Sequence, residues 1–110
     1  MTESSSNITK AKYSMGDLVL HKLFNYRGVI LDIDADFQMT EEWYETVARS
    51  KPPKNEPWYH VLVHNSTHST YVAEQNLSRD ISHEEINHPM IKMVFSQLKN
   101  GRYVNDEKFN

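Results

Sequence analysis

The sequence predicts a mainly β protein: a small SH3-like antiparallel β-barrel with a short helical insertion and a C-terminal helix. Three observations predict it. Short β-prone runs separated by turn residues fill the stretch from Asp17 to Asp80. One segment among them, Thr40 to Ala48, carries helix signals instead. A helical apolar period then returns after Pro89. Short strands joined by turns are the pattern of a small antiparallel barrel. An open α+β sheet with the last helix across one face is the alternative use of the same elements.

Asp17 to Lys22 (DLVLHK) is apolar and reads as the first strand. Leu23 to Gly28 makes a turn, with Asn25 and Gly28 able to take positive φ. Val29 to Ile33 is the second strand, with Val29, Leu31 and Ile33 on one face and Ile30 and Asp32 on the other. In Thr40 to Ala48, Thr40 is an N-cap and Glu41 and Glu42 sit where the helix dipole favours anions. Pro52-Pro53 forbids continuation. Trp58 to His64 (WYHVLVH) is dense in aromatic and β-branched residues, and Thr70 to Glu74 returns as its partner. A short strand is expected around Leu77. Ser82 and Glu85 have capping-box spacing, and Pro89 suits a first helical position. Met90, Ile91, Val94, Phe95 and Leu98 form the apolar stripe of a helix over Pro89 to Leu98, with Asn100-Gly101 as its stop.

A chain of 110 residues with 38% hydrophobic residues and a mean hydropathy of −0.70 holds one modest core. Residues 1–11 are Ser-rich and nearly without apolar side chains, so they are expected as a disordered tail. The barrel domain spans residues 12–80, and a helical extension spans 81–110. No apolar run is long enough for a transmembrane helix, and the first residues lack the apolar region of a secretory signal. With no Cys there is no disulfide framework or thiolate metal site, and the cytoplasm is the expected compartment.

The net charge of −3 is not the basic excess usual in nonspecific nucleic-acid binders. The charge is segregated. Lys10, Lys12, Lys22 and Arg27 lie early, while Asp32, Asp34, Asp36, Glu41, Glu42 and Glu45 follow without an intervening cation. Asp32, Asp34 and Asp36 resemble the opening of a calcium-binding loop, but Phe37 and Trp43 stand where that loop needs Gly and Glu. They read as a solvated acidic edge. His60, His64 and His68 would align on a helix, but their segment is a strand, and no metal site is expected. His21 and His60 are expected near the core, and His64, His68, His83 and His88 in solvent. No nucleophile elbow, phosphate loop or zinc-protease motif is present, so neither enzyme chemistry nor a cofactor is expected.

Aromatics beside cations are the more informative feature. Lys22, Phe24, Tyr26 and Arg27 occupy one turn, a composition able to stack on bases or dock a partner. Arg49, Lys51 and Lys54 form the other compact basic element. These seven residues are the candidate partner- or DNA-binding set. Phe24 and Tyr26 are equally suited to closing one end of the barrel. Trp58 is expected in the core.

Three segments taken together, MGDLVLHKLFNYRGVILDIDADF, TEEWY with PWYHVLV, and TYVAEQNL, resemble the heat-shock protein Q family, also known as YccV-like or hemimethylated-DNA-binding domains. The tail INHPMIKMVFSQLKNGRYVND looks like the extension of longer members. The resemblance implies an SH3-like barrel and two activities. One is that of a substrate and specificity enhancer of the ATP-dependent Lon protease, acting with its client proteins. The other is binding of hemimethylated DNA near the replication origin. The charge pattern favours the first, because six acids separate the two basic groups and mixed charge with exposed aromatics is ordinary protein-interface material. Loose ends at residues 1–11 and 104–110 would suit an unfoldase. Self-association, as a trimer, is expected from open strand edges and from an apolar face of Met90, Val94 and Leu98.

Overall fold

The computed structural model describes residues 10–105. Five strands form one sheet: β1 (Leu18–His21), β2 (Arg27–Asp34), β3 (Trp58–Val63), β4 (Ser69–Ala73) and β5 (Leu77–Arg79). Their order is β4-β3-β2-β1-β5, and every neighbouring pair is antiparallel. Helix α1 (Glu41–Val47) is inserted between β2 and β3, and a one-turn 3-10 helix (Glu74–Asn76) joins β4 to β5. Helix α2 (Ile91–Val94) and a hairpin of β6 (Gln97–Lys99) and β7 (Arg102–Val104) complete the chain. The protein is therefore mainly β, but the ladder stops at β4 and β5 and does not close through hydrogen bonds. Among the described residues no helix is long and apolar enough to cross a membrane.

The central strands are buried on both faces, which is why they read as continuous apolar runs. On one face, Val19, Ile30, Val61, Val72 and Leu77 pack with Tyr13 and Tyr59. On the other, Leu18, Val29 and Leu62 pack with Ile86, Phe95 and Tyr103 from the C-terminal part. The expected single face for Val29, Leu31 and Ile33 is broken by a bulge. Ile30 pairs with Val61 but Asp32 pairs with His60, so Leu31 is the extra residue. Beyond it the side-chain alternation flips, and Ile33 joins the Tyr13 face while Leu31 stays with Leu18.

The helix expected over Pro89 to Leu98 is cut to four residues, Ile91–Val94. Asn100 and Gly101 have φ of 56° and 79° and form the two-residue turn between β6 and β7, not a helix stop. The apolar stripe is satisfied by tertiary packing: Phe95 is buried against the Leu18 face, with Met90, Val94 and Leu98 beside it. The apolar face put forward for self-association is thus used within the chain. The expected capping box is not formed either, since the Ser82 hydroxyl accepts from the Glu84 N–H outside any helix.

Gly16 ties the hairpin to the sheet. Its N–H donates to Ile30 O at 2.8 Å, and its carbonyl accepts from Tyr103 N–H at 2.9 Å. At φ 96°, with the Tyr103 carbonyl against its α-carbon, the position has no room for a side chain. The tail expected over residues 1–11 lies outside the described residues as far as residue 9, and the loose end over 104–110 does so from residue 106. Ala11 packs against the Tyr13 cluster, and Val104 belongs to β7.

Candidate functional site

Helix α1 forms where the cap and acidic first turn place it. The Thr40 hydroxyl accepts from Trp43 N–H at 3.0 Å. Seven residues are too few to hold a helix by themselves, so α1 depends on its docking through aromatics. Trp43 and Tyr44 pack with Phe37, Tyr71 and the buried Trp58. Trp58 and Tyr71 stack with centroids 5.2 Å apart, and Phe37 meets Trp58 edge-on at 4.9 Å. The polar ends are satisfied: Trp58 Nε1 donates to Pro53 O, Tyr44 OH to Pro52 O, and Tyr71 OH to Asp34 Oδ2. Burial, and then the Asp34 carboxylate, push the Tyr71 hydroxyl pKa upward.

The turn after β1 is built on His21. Its buried Nδ1 accepts from the N–H groups of Leu23 and Phe24, both at 3.1 Å. Asn25 takes the left-handed conformation at φ 60° that lets the chain reverse. Phe24 stacks on the imidazole at 4.8 Å, and Tyr26 lies against it at 5.0 Å. Tyr26 also reaches across the sheet to the Thr70 hydroxyl at 2.7 Å. Burial lowers the His21 pKa.

Between this turn and α1 lies a cleft of about 390 Å³ that runs along β4. Tyr26, Trp43, Trp58 and Tyr71 are among its lining residues. Four exposed hydrophobic side chains, Leu23, Phe24, Met39 and Val47, line it as well. Arg49 is the one Lys, Arg, Asp or Glu in its lining. The structure therefore brings Phe24, Tyr26 and Arg49 of the candidate set to one place. Trp43, Tyr71 and Met39 were not in that set. Their signal was faint, because Tyr71 sits in an ordinary strand sequence and only the pairing of β3 with β4 stacks it on Trp58.

The other candidates are differently employed. Arg27 donates Nε to Asp80 at 2.6 Å and its remaining nitrogens to Glu84 O at 2.6 Å and Glu85 O at 3.3 Å. It pins the C-terminal segment to the sheet. Burial opposes the Asp80 charge, but its donors from Ser82 and Arg27 outweigh this and hold the pKa below the usual value. Lys51 Nζ donates to Tyr44 O at 3.2 Å and Glu45 O at 2.8 Å, at the C-terminal end of α1. Lys54 pairs with the Glu41 carboxylate and lies 4.4 Å from the Tyr44 ring centroid. Lys22 is exposed, and neither it nor Arg49 makes an ion pair among the described residues.

His60, His64 and His68 do not converge. His60 Nε2 lies 3.3 Å from Asp34 Oδ2, and ligating atoms of Asp32, Asp34 and His60 come within 4.8 Å of one another. Asp34 is already the acceptor for Tyr71. His64 Nδ1 accepts from Asn87 N–H, and His68 is exposed. His88, expected in solvent, is buried, with Nδ1 accepting from Met90 N–H and Nε2 2.9 Å from His68 O.

The family described as "Hemimethylated DNA-binding protein YccV like" matches residues 11–102. F-box only protein 21 of Homo sapiens is 31% identical over 94 residues, which is 84% of this chain and 15% of that protein. F-box only protein 21 of Pongo abelii is similar to the same extent. The chain thus spans about 15% of the length of these curated relatives.

Proposed function

The chain belongs to the YccV-like family, and on that premise we propose that it is a non-enzymatic regulator of protein turnover. In this reading it enhances the specificity of an ATP-dependent protease of the Lon type by engaging client proteins. One observation carries the reading: the site is an apolar, aromatic cleft with a single charged residue, while three of the five candidate cations lie outside it and already bond to acceptors within the chain. Glu41 and Glu45 accompany Lys54 and Lys51 on the α1 side, so that region has no net basic character. Within the candidate set a polyanion would find Lys22 and Arg49 unpaired among the described residues, and two phosphate contacts give a salt slope of only about 2. We also propose that the sheet curls as in an SH3-like barrel. In support, Val72 of β4 and Leu77 of β5, from the two ends of the strand order, belong to one buried cluster with Val19 and Ile30.

The family description itself favours a second reading, hemimethylated-DNA binding. One preparation distinguishes them. Purified Lon with a test client is expected to degrade it faster when this protein is added. A hemimethylated duplex at about 150 mM salt, where the Debye length is about 8 Å, is expected to bind no tighter than the unmethylated duplex. Submicromolar binding that prefers the hemimethylated duplex and is lost in Lys22→Glu/Arg49→Glu, with no effect on degradation, reverses the ranking.

A further inference from the structure

We propose that the open edge of β4, with the cleft along it, seats an extended apolar peptide segment that adds as a further strand and sets one carboxylate against Arg49. Strand β4 ends the sheet, with β3 its only strand neighbour among the described residues. Val63 N–H donates to His68 O, and hydrogen-bonded and non-bonded pairs alternate from there along the regular β3–β4 register. Thr70 and Val72 thus bond to β3, while Ser69, Tyr71 and Ala73 turn their N–H and C=O groups outward. Sheet edges are ordinarily protected by charge, proline, a bulge or extreme shortness. The sequence STYVA has no charge and no proline, and its register has no bulge. The opposite edge, β5, is three residues long and carries Arg79.

The surroundings of the β4 edge fit a strand as occupant. The cleft straddles that edge, since it is lined by Thr70 and Val72 from one face of β4 and by Tyr71 and Ala73 from the other. An added strand lies about 4.8 Å from its neighbour and sends alternate side chains to opposite sides. On one side they meet the turn carrying Phe24, which is 63% exposed, and on the other the end of α1 carrying Val47, which is 51% exposed. Main-chain bonds then give affinity and the two apolar walls give selectivity. Arg49, alone in charge, selects a segment with one acidic group and suits neither a polyanion nor a basic peptide. Only the identification of the segment as part of a protease client rests on the reading above.

The test uses the full chain with two labelled synthetic peptides of alternating Leu, Thr and Phe, carrying one Asp at either end. Fluorescence anisotropy is expected to show saturable binding. Amide exchange at Ser69, Tyr71 and Ala73 is expected to slow when peptide is bound. Phe24→Ser and Val47→Lys, both at exposed positions, are expected to weaken binding by about tenfold each. Ser69→Pro removes one outward donor and is expected to weaken it further, with the amide spectrum of β1 to β3 unchanged as the folding control. Arg49→Glu is expected to weaken the Asp peptide but not its Asn counterpart. No binding up to about 1 mM peptide, or binding indifferent to these variants, overturns the proposal. So does protection of the same amides by a hemimethylated duplex, or by a second copy of the chain at rising concentration. Peptide binding that the variants weaken, with no faster Lon-dependent degradation when the unmodified chain is added, would instead remove the turnover reading and leave the edge site standing. Faster degradation with the unmodified chain, but no peptide binding, would do the reverse.

Discussion

His21 holds the turn from Lys22 to Tyr26 through an unprotonated Nδ1, which accepts two backbone N–H groups. Burial lowers its pKa in the folded chain, so the unfolded chain takes up the proton first, near pH 6.5. Stability contributed by neutral His21 is therefore complete above that pH and declines as pH falls toward the folded value. Protection of the Leu23 and Phe24 amides, taken relative to intrinsic exchange at each pH, is expected to fall as pH drops below about 6.5, and His21→Ala should abolish that dependence. Protection that stays constant as pH falls would refute the account. Arg27 is the second decisive residue. It joins Asp80, Glu84 and Glu85 to β2, and Arg27→Met leaves a largely buried carboxylate without its partner. Denaturant unfolding is expected to show a loss of about 2–3 kcal/mol. The Asp80 pKa is lowered in the fold, so its share of stability is present above the ordinary carboxylate pKa near 3.9 and is lost as pH falls through the folded value. In the variant that acid-sensitive share should shrink. The sequence showed Arg27 as an exposed turn cation because its acceptors lie more than fifty residues away.

At the scale of elements, local chemistry and tertiary packing agree for α1 and disagree for the C-terminal part. Thr40, the acidic first turn and the following prolines define α1 without reference to anything distant. Residues 89–98 have a helical apolar period, yet the stripe is divided between four helical residues and β6. The deciding local signal was Asn100-Gly101, which serves equally as a helix stop or as a hairpin turn. Both residues hold positive φ, and a side chain at Gly101 would also crowd the His83 ring. Gly101→Ala is expected to cost about 1–2 kcal/mol and to loosen the hairpin first. The sensitive measurement is exchange of Tyr103 N–H, which bonds Gly16 O. Unchanged protection there would show that the turn is not what holds β6 against β7.

Over the whole molecule, the sheet separates two cores. The second is shared between β1 to β3 and residues 86–103, through Leu18, Val29 and Leu62 on one side and Ile86, Phe95 and Tyr103 on the other. The C-terminal part therefore covers a sheet face. A chain ending at Asp80 would expose Leu18, Val29 and Leu62 and lose the Arg27 anchor to Glu84 and Glu85. Such a chain is expected to lose its single cooperative unfolding transition and to self-associate, as read by thermal melts and light scattering. A cooperative monomer of unchanged midpoint would show that the sheet is complete without that cover.

The sequence by itself determined the five strands of the sheet, the inserted helix and the family resemblance, because strand composition, caps and prolines act within a few residues. Of the seven candidate residues it named, Phe24, Tyr26 and Arg49 line the cleft. Tertiary structure alone decided three further things. The bulge at Leu31 sent Ile33 to the opposite face from Val29. Packing against the Leu18 face replaced an amphipathic helix by a hairpin. Arg27, Lys51 and Lys54 bond to acceptors elsewhere in the chain and do not line the cleft, which is apolar where a basic surface was conceivable. Each depends on groups far apart in the chain or on which of two local options packs better, and no local residue pattern carries that energy.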